Sequence, residues 1–492
     1  MEDKGITDMT KEQKNLIIAV VLGALIFFLV PAVNGLTDQG VRLLAVFIPT
    51  IYLWMTVGGS WASFLSVTAG VMISAYNGVA TFTGVWGSLF VAVLIPFFMI
   101  ATVLDESGAL EWIVKWMISR KFVHGRPLLF TIMFSLAILI CSIFTVPIVV
   151  SVLFFKILKQ ISKSIGYTRE DGFYRAHGML IAWLAQTCDG CLIWGRAYIL
   201  SMVTVIVGLG FTNFTPSAYL KIGLIYLALF TMAAILIVVL WIRPDVSKFK
   251  NYDDAAIREE LKAHPMSKRA RIAMGGMVVV LVMYILASIT ALGPVASYLS
   301  GLSIVAPVML VCGLLCVITA DGKPVMNLGE AASKISWPTI VFMGTIMYYA
   351  GTVGKAEYGI TVFMQNLLAP YVRSIPAYLA FFIAMLIASM ITNVASNSVA
   401  VIVTCASFVP ALLSVPGISE AKVLTFASCV IAICATAFCT YSACATMGVV
   451  YCDEGIDYKG TPKYSIILCL IMVILCSLLI VPFGEFLMGA IV

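Results

Sequence analysis

Five polar side chains lie close together inside one of the most apolar regions of the chain, in the segment ITNVASNSVAV at 391–401. They are Thr392, Asn393, Ser396, Asn397 and Ser398. An unpaired amide or hydroxyl in hydrocarbon costs several kcal/mol, so this cluster must bind a ligand or pair internally. Hydroxyl, amide and freed backbone oxygens suit Na⁺, and an asparagine can also offer its NH₂ to an anion. Hydrogen bonding between packed helices is the alternative explanation.

A second segment, QTCDGCLIWGRAY at 186–198, places Asp189 and Arg196 at membrane depth. Charges inside a membrane are expensive, and they are usually functional or paired with one another. On a continuous helix these two residues would lie about 10 Å apart on the same face, and Gly190 and Gly195 could break the helix and bring them closer. Two interpretations stay open. The residues form a structural pair, or Arg196 binds a substrate carboxylate while Asp189 orients it or titrates.

The composition is that of a membrane protein. The 492 residues are 62% hydrophobic and 11% charged, whereas a soluble domain carries about 25% charged residues. No Gly-x-Ser-x-Gly, His-Glu-x-x-His or phosphate-binding glycine loop occurs in the sequence, so we expect neither an enzyme nor an organic cofactor. If such a membrane protein is a transporter, the lack of a nucleotide site means that transport would be driven by an ion gradient or by exchange.

Apolar runs of spanning length predict an all-α polytopic membrane protein with about eleven transmembrane helices. The runs lie near 15–33, 41–57, 60–76, 85–104, 174–208, 217–242, 271–292, 302–319, 336–354, 421–451 and 463–488. Two further apolar stretches, at about 128–158 and 376–413, break at a polar or proline-bearing centre. Each half of these stretches is short for a span, so the pattern predicts two re-entrant hairpins.

The lysines and arginines orient the predicted helices. With the N-terminus in the cytoplasm, 24 of the 30 fall on the cytoplasmic side, as the positive-inside rule requires. The C-terminus then falls outside. We expect a multi-pass protein of the cell membrane, the inner membrane of a bacterium.

The two halves of the chain correspond to each other. GRAY at 195–198 aligns with GVVY at 448–451, and the same offset of 253 residues places SIFT at 142–145 over ASNS at 395–398. Each half contains a glycine, Gly108 or Gly359, followed by an amphipathic stretch, a hairpin and a broken helix. The broken helices lie at about 174–208 and 421–451. The predicted units are a first half at 1–242, a cytoplasmic linker at 243–270 and a second half at 271–492. Such an inverted-topology repeat places its binding site near the midplane, where the broken segments meet.

The segment TNVASNSVA resembles the Thr-x-x-x-Ser-Asn-Thr hairpin tip of the divalent-anion/sodium symporter family, which carries di- and tricarboxylates and belongs to the ion transporter superfamily. GLTDQGVRLLAVFIPTIYLWMT at 35–56 is similar to that family's first helices. ISWPTIVFMGTIMYYAGTVGKAEYGI at 335–360 is similar to the segment before its second hairpin. The likeness covers most of the chain, and the hairpin tip is its specific motif.

The resemblance implies roles for residues in both halves. As sodium ligands it implies Thr392, Ala395, Asn397 and Ala443, the alanines through backbone oxygens. As substrate contacts it implies Ser396, Asn397, Ser398, Cys444, Ser142 and Thr145, to which the intramembrane Arg196 and Asp189 are added. A degenerate second sodium site would use Ser142 and Gly190. The first hairpin departs from the family pattern, because Phe144 stands where an asparagine is expected and can coordinate nothing.

The function expected from this resemblance is secondary active transport of small carboxylate anions, such as dicarboxylates and citrate. Transport would be Na⁺-coupled symport or anion exchange by alternating access, with Na⁺ as the coupling ion. The expected partners are the anion, the lipid bilayer and a second copy in a homodimer, with no nucleic acid. Two alternatives stay open: a cation/proton antiporter centred on Asp189, and an intramembrane enzyme using Asp189, Arg196 and cysteines.

Overall fold

The computed structural model describes residues 9–492 apart from 58–59, 193–196, 252–254, 289–291, 303–304, 354, 395–396, 441–443, 449, 451–455 and 457–461. Its α-helices are α1 Lys11–Leu29, α2 Asp38–Thr56, α3 Ser60–Met72, α4 Gly78–Trp86, α5 Leu89–Glu106, α6 Ala109–Ile118, α7 Pro127–Phe144, α8 Pro147–Ile165, α9 Gly172–Asp189, α10 Ala197–Gly208, α11 Pro216–Leu236, α12 Ala255–Ala263, α13 Lys268–Ser288, α14 Pro294–Gly301, α15 Val305–Val317, α16 Leu328–Lys334, α17 Trp337–Val353, α18 Ile360–Arg373, α19 Ala377–Thr392, α20 Asn397–Leu413, α21 Glu420–Cys434, α22 Ala445–Gly448, α23 Pro462–Leu475 and α24 Gly484–Met488.

Other regular structure is sparse in the described ranges. Two short strands, β1 Thr319–Ala320 and β2 Lys323–Pro324, pair antiparallel around a two-residue turn. Short 3₁₀ turns lie at Lys121–Val123, Ser247–Asn251, Ala356–Tyr358 and Val481–Phe483, and π-helical turns continue α11 at Ile237–Ile242 and α23 at Cys476–Ile480.

The apolar helices confirm the predicted fold class. Among the described residues, six helical segments are long and apolar enough to cross a membrane: Lys11–Leu29, Gly78–Glu106, Pro127–Phe144, Pro216–Ile242, Lys268–Ala287 and Pro462–Met488. Shorter apolar helices stand beside them, including α15, α19 and α20. With the composition, this makes the protein an all-α polytopic membrane protein.

The structure differs from one predicted boundary and from one predicted helix length. The span placed at 85–104 begins earlier, because α4 and α5 follow one another with only Gly87 and Ser88 between them. The threonines and glycines of α4 weaken its apolar signal in the sequence. In the first predicted hairpin, α7 has 18 residues, about 27 Å of helix. Its length is therefore sufficient for a span, and length alone does not identify it as half of a hairpin.

Both predicted hairpins are helix–break–helix units. Between α7 and α8 the backbone is extended at Thr145 and Val146. Proline disfavours the helical conformation in the residue before it and suits the first turn of a helix, so Pro147 favours this break and starts α8. Between α19 and α20 the helix stops at Asn393 and resumes at Asn397. In each unit the two helices pack against each other, which leaves the polar residues of the break at one end of the pair.

A glycine in the left-handed conformation precedes the first helix of each repeated unit. Gly108 (φ 69°) comes directly before α6, and Gly359 (φ 65°) comes directly before α18. Residues with a Cβ rarely adopt this φ, so glycine sets the direction in which each amphipathic helix leaves the preceding segment. The sequence predicted each of the two amphipathic stretches from the glycine that precedes it.

The order of elements recurs along the chain. The helices α6, α7, α8 and α9 begin at 109, 127, 147 and 172, and α18, α19, α20 and α21 begin at 360, 377, 397 and 420. Corresponding starts are therefore 248 to 251 residues apart, close to the offset of 253 seen in the motifs. That the two halves lie inverted across the membrane stays a prediction.

Ion pairs connect the first amphipathic helix to the linker between the halves. The Lys115 ammonium lies 2.7 Å from Glu260 of α12 and 2.9 Å from Glu111. Glu111 is also 3.1 Å from Lys156 of α8. Such pairs near a surface contribute about 0–1 kcal/mol each, so their main effect is to set the position of α6 between α8 and α12. The linker segment 243–270 contains the helix α12.

Candidate functional site

Three oxygen atoms meet at the tip of the second hairpin. Thr392 ends α19 and Asn397 begins α20, and the Thr392 Oγ1 atom lies 3.0 Å from Asn397 Oδ1. The same Oγ1 is hydrogen-bonded to the backbone carbonyl oxygen of Cys434. A threonine hydroxyl has one hydrogen, which can be given to only one acceptor at a time. The cluster is therefore rich in lone pairs and poor in donors, an arrangement that favours a cation.

The carbonyl of Cys434 is available because α21 ends there. The chain turns at Ala435 and is non-helical at 436–438, and the next helix, α22, begins only at Ala445. The last carbonyls of a helix have no partner within the helix, and they carry the negative end of its dipole. Thirteen of the fourteen residues 421–434, Cys434 among them, are buried, and Lys422 is half-buried. The hairpin tip thus faces a helix end that is suited to a positive ion.

Asn393 joins the hairpin tip to this non-helical segment. Its side-chain oxygen accepts from the backbone N–H groups of Phe438 (3.1 Å) and Cys439 (2.8 Å). Its NH₂ donates to the carbonyl of Ser389 at 2.8 Å, and its own carbonyl accepts from the Thr440 hydroxyl at 2.7 Å. The sequence placed Asn393 in the polar cluster but gave it no role. Its partners in the non-helical segment lie 45 to 47 residues away, where no local pattern could identify them.

We expect Asn393→Ala to reduce both stability and transport. The substitution removes three side-chain hydrogen bonds in a buried site, each contributing about 1 kcal/mol, and it leaves two backbone N–H groups without their acceptor. A fall in melting temperature together with loss of uptake would show that Asn393 holds the segment in place. Asn393→Asp keeps the acceptor and should retain more stability than alanine. Equal stability of parent and alanine variant would contradict this role.

The first broken helix meets the second at Gly190. Helix α9 ends at Asp189, and the Gly190 carbonyl accepts a hydrogen bond from the Tyr219 hydroxyl of α11. A Cβ atom on Gly190 would lie far inside the van der Waals distance of the Ala435 Cβ. The Tyr198 hydroxyl donates to the Ile431 carbonyl at 2.7 Å, so α10 also contacts α21. The ends of α9 and α21 are therefore in direct contact.

A side-chain contact also bridges the two halves. The Cys444 Sγ atom, directly before α22, lies 3.3 Å from the side-chain oxygen of Gln186 in α9. It also lies 3.3 Å from the carbonyl oxygen of Ala437. Cys444 was among the predicted substrate contacts, whereas Gln186 was not. Its partner is 258 residues away, and a single glutamine in an apolar helix carries no motif.

The break of the first hairpin is buried, and its helix α8 packs against elements of the site. Ser142 lies in the last turn of α7 and Thr145 in the break, and both are buried. Phe144, which the resemblance aligns with an asparagine, is also buried. Helix α8, which follows the break, packs against α9 and α22. A sodium site at Ser142 and Gly190 stays a prediction.

Of the other predicted site residues, some are described and some lie outside the described ranges. Ser398 is buried in the first turn of α20, and Asp189 is the last residue of α9. Ala395, Ser396, Ala443 and Arg196 lie outside the described residues. The structure therefore brings together Thr392 with Asn397, and Cys444 with α9, while the Asp189–Arg196 alternatives stay predictions.

A comparison with protein families agrees with this arrangement. The family model described as the sodium:sulfate symporter transmembrane region matches residues 10–490. No curated protein matches the chain. Because the family match covers nearly the whole chain, the protein belongs to the sodium:sulfate symporter family, the divalent-anion/sodium symporters, which are transporters that move anions together with Na⁺.

Proposed function

We propose that the protein carries small di- and tricarboxylate anions across the membrane, coupled to Na⁺. The observation that supports this most directly is the meeting of the Thr392, Asn397 and Cys434 oxygens at the second hairpin tip. Thr392 and Asn397 were both expected as sodium ligands. Cys434 adds a backbone oxygen that the sequence did not suggest. Ala395 and Ala443 would complete the ligand set, and Ser396, Ser398 and Cys444 would contact the anion.

Asn397 provides the physical link between ion and anion. Its oxygen belongs to the oxygen cluster, and the NH₂ of the same planar amide points away from that oxygen and can donate to an anion. An anion bound there would lie close to the sodium ion. Opposite charges a few ångströms apart attract strongly where water is scarce, so each ligand raises the affinity for the other. Such mutual dependence is a coupling free energy between two sites.

The first half of the proposed site lacks this dual residue. With Phe144 in the asparagine position, the site at Ser142 and Gly190 would bind sodium weakly or not at all. Arg196 would instead supply a fixed positive charge for a substrate carboxylate, oriented by Asp189. A fixed charge cannot leave with the substrate, so we expect fewer coupled sodium ions than in a carrier with two intact sites, or exchange of anions.

The proposed mechanism is alternating access. The amphipathic helices α6 and α18 would carry the two hairpins as the site moves between the two sides of the membrane. The proposed topology has a cytoplasmic N-terminus and an external C-terminus in a bacterial inner membrane. The homodimer expected from the family resemblance is also part of the proposal.

A counterflow experiment tests the substrate class. Proteoliposomes preloaded with one unlabelled di- or tricarboxylate should accumulate the labelled anion, and accumulation should require Na⁺. Sulfate is the matched control, because it has two negative charges on one compact centre. Accumulation of sulfate with no carboxylate would overturn the carboxylate assignment. Proton flux with no organic or inorganic anion would favour an antiporter centred on Asp189.

A further inference from the structure

We propose that Gln186 is a specificity-determining residue that donates a hydrogen bond from its NH₂ to the second carboxylate of a dicarboxylate substrate. The proposal rests on the proposed function. Nothing in the family comparison assigns a role to this position. Gln186 lies in the last turns of α9, four residues before Gly190, and the residue is 4% exposed.

The side chain of Gln186 has a weak hydrogen-bond partner, the Cys444 thiol, which is unusual for a buried amide with a purely structural role. A carboxamide offers two donor hydrogens and two acceptor lone pairs, and a buried amide is costly unless these are used. The side-chain oxygen of Gln186 faces the Cys444 thiol, which is a weak donor. Among the described residues, none accepts a hydrogen bond from its NH₂, because the contact with Cys444 uses the oxygen. A leucine or methionine would fill this place in an apolar helix at lower cost.

The thiol can set the orientation of the amide. Cys444 Sγ is equally distant, at 3.3 Å, from the Gln186 oxygen and the Ala437 carbonyl oxygen. When the thiol donates to Gln186, the amide oxygen is held toward Cys444 and the NH₂ is directed to the other side. A serine hydroxyl at 444 would hold this orientation more firmly, whereas alanine would release it. Cys444, itself a proposed contact of the anion, thus also positions Gln186.

The place of Gln186 in the fold suggests which part of the substrate it contacts. The oxygen cluster includes the Cys434 carbonyl, and the next residue, Ala435, touches Gly190. Gln186 is one helical turn from Gly190, about 6 Å along α9. An amide beside the sodium cluster and a second amide one turn away fit two anionic groups joined by a short carbon chain. Sulfate has one tetrahedral centre and cannot use both amides.

The test compares two substitutions with a matched control in sodium-driven proteoliposome uptake. Gln186→Met keeps the shape and removes both donors, and we expect the KM for a four-carbon dicarboxylate to rise about tenfold, with Vmax and sodium activation retained. Gln186→Glu adds a negative charge near the anion and should raise the KM further. Gln160→Met alters an exposed glutamine on α8 and should leave the KM unchanged.

The substitutions at 444 test the orientation. Cys444→Ser should retain the parental KM, and Cys444→Ala should raise the KM more in the parent than in a Gln186→Met background, where no amide is left to orient. If the parent carries dicarboxylate and both Gln186 variants keep its KM, the inference is wrong while the proposed function stands. If the parent carries only sulfate, the proposed function itself fails. A melting temperature for each variant separates misfolding from a loss of affinity, and a folded Gln186→Glu with parental KM overturns the proposal.

Discussion

Replacing Asn397 with alanine is expected to abolish sodium-driven uptake. The Asn397 oxygen lies 3.0 Å from the Thr392 hydroxyl, which is also bonded to the carbonyl at the end of α21. Alanine removes one oxygen of this cluster and, in the proposed mechanism, the NH₂ that contacts the anion. A hydrogen bond to a charged partner contributes about 1.5–3 kcal/mol. Losing two such contacts corresponds to an affinity loss of roughly two orders of magnitude or more for the coupled pair of ligands.

The measurement is the dependence of uptake on Na⁺ concentration, together with the sodium-dependent rise in melting temperature of the purified protein. Both should disappear in Asn397→Ala. Asn366→Ala is the matched control, because Asn366 is an exposed asparagine on α18 whose NH₂ donates to the Asn34 carbonyl at 2.9 Å. It should transport like the parent. Unchanged sodium activation in Asn397→Ala would exclude the second hairpin tip as the sodium site.

Much of the fold could be predicted because its signals are local. Runs of apolar residues set the helices, Pro147 fixed the first break, and the glycines at 108 and 359 marked the starts of α6 and α18. These features depend on one residue or on a short window, so the sequence states them directly. The boundary at Gly78 was harder, because threonine and glycine are compatible with both a loop and a buried helix.

The site was less accessible to sequence reasoning, since its contacts join distant parts of the chain. Asn397 and Thr392 are five residues apart, and their cluster was visible as a motif. The Cys434 carbonyl is a backbone group, which any residue type supplies, so no side chain marked it. Gln186 and Asn393 depend on partners that only the tertiary structure brings near. For such residues a polar type in an apolar helix was the only available signal.

The contact between Gly190 and Ala435 gives the second large expected effect. Gly190 has φ −95° and ψ 0°, a conformation that an alanine can adopt. The cost of Gly190→Ala is therefore steric, because the new methyl group would overlap the Ala435 methyl group. Overpacking of a tight core costs about 1–3 kcal/mol. The displaced atom is next to Cys434, whose carbonyl meets Thr392, so we expect sodium affinity to fall at least tenfold.

A compensating substitution distinguishes this contact from general instability. Ala435→Gly removes the obstructing methyl group, after which the nearest described atoms to a Cβ at 190 are the Ala435 Cα and the Ile431 carbonyl oxygen, both at 3.5 Å. These are ordinary contacts. The double variant Gly190→Ala, Ala435→Gly should therefore recover sodium activation and melting temperature.

The matched control is Gly275→Ala in α13, where a Cβ would meet no atom within 4 Å. Alanine in place of an exposed helical glycine should leave transport unchanged and raise stability by about 0.5–1 kcal/mol. If sodium activates uptake by Gly190→Ala as it does in the parent, Gly190 and Ala435 are not in the contact described. If it loses activation and the double variant does not recover, the loss arises from another neighbour of Gly190, of which the Tyr219 hydroxyl bonded to its carbonyl is the first to examine.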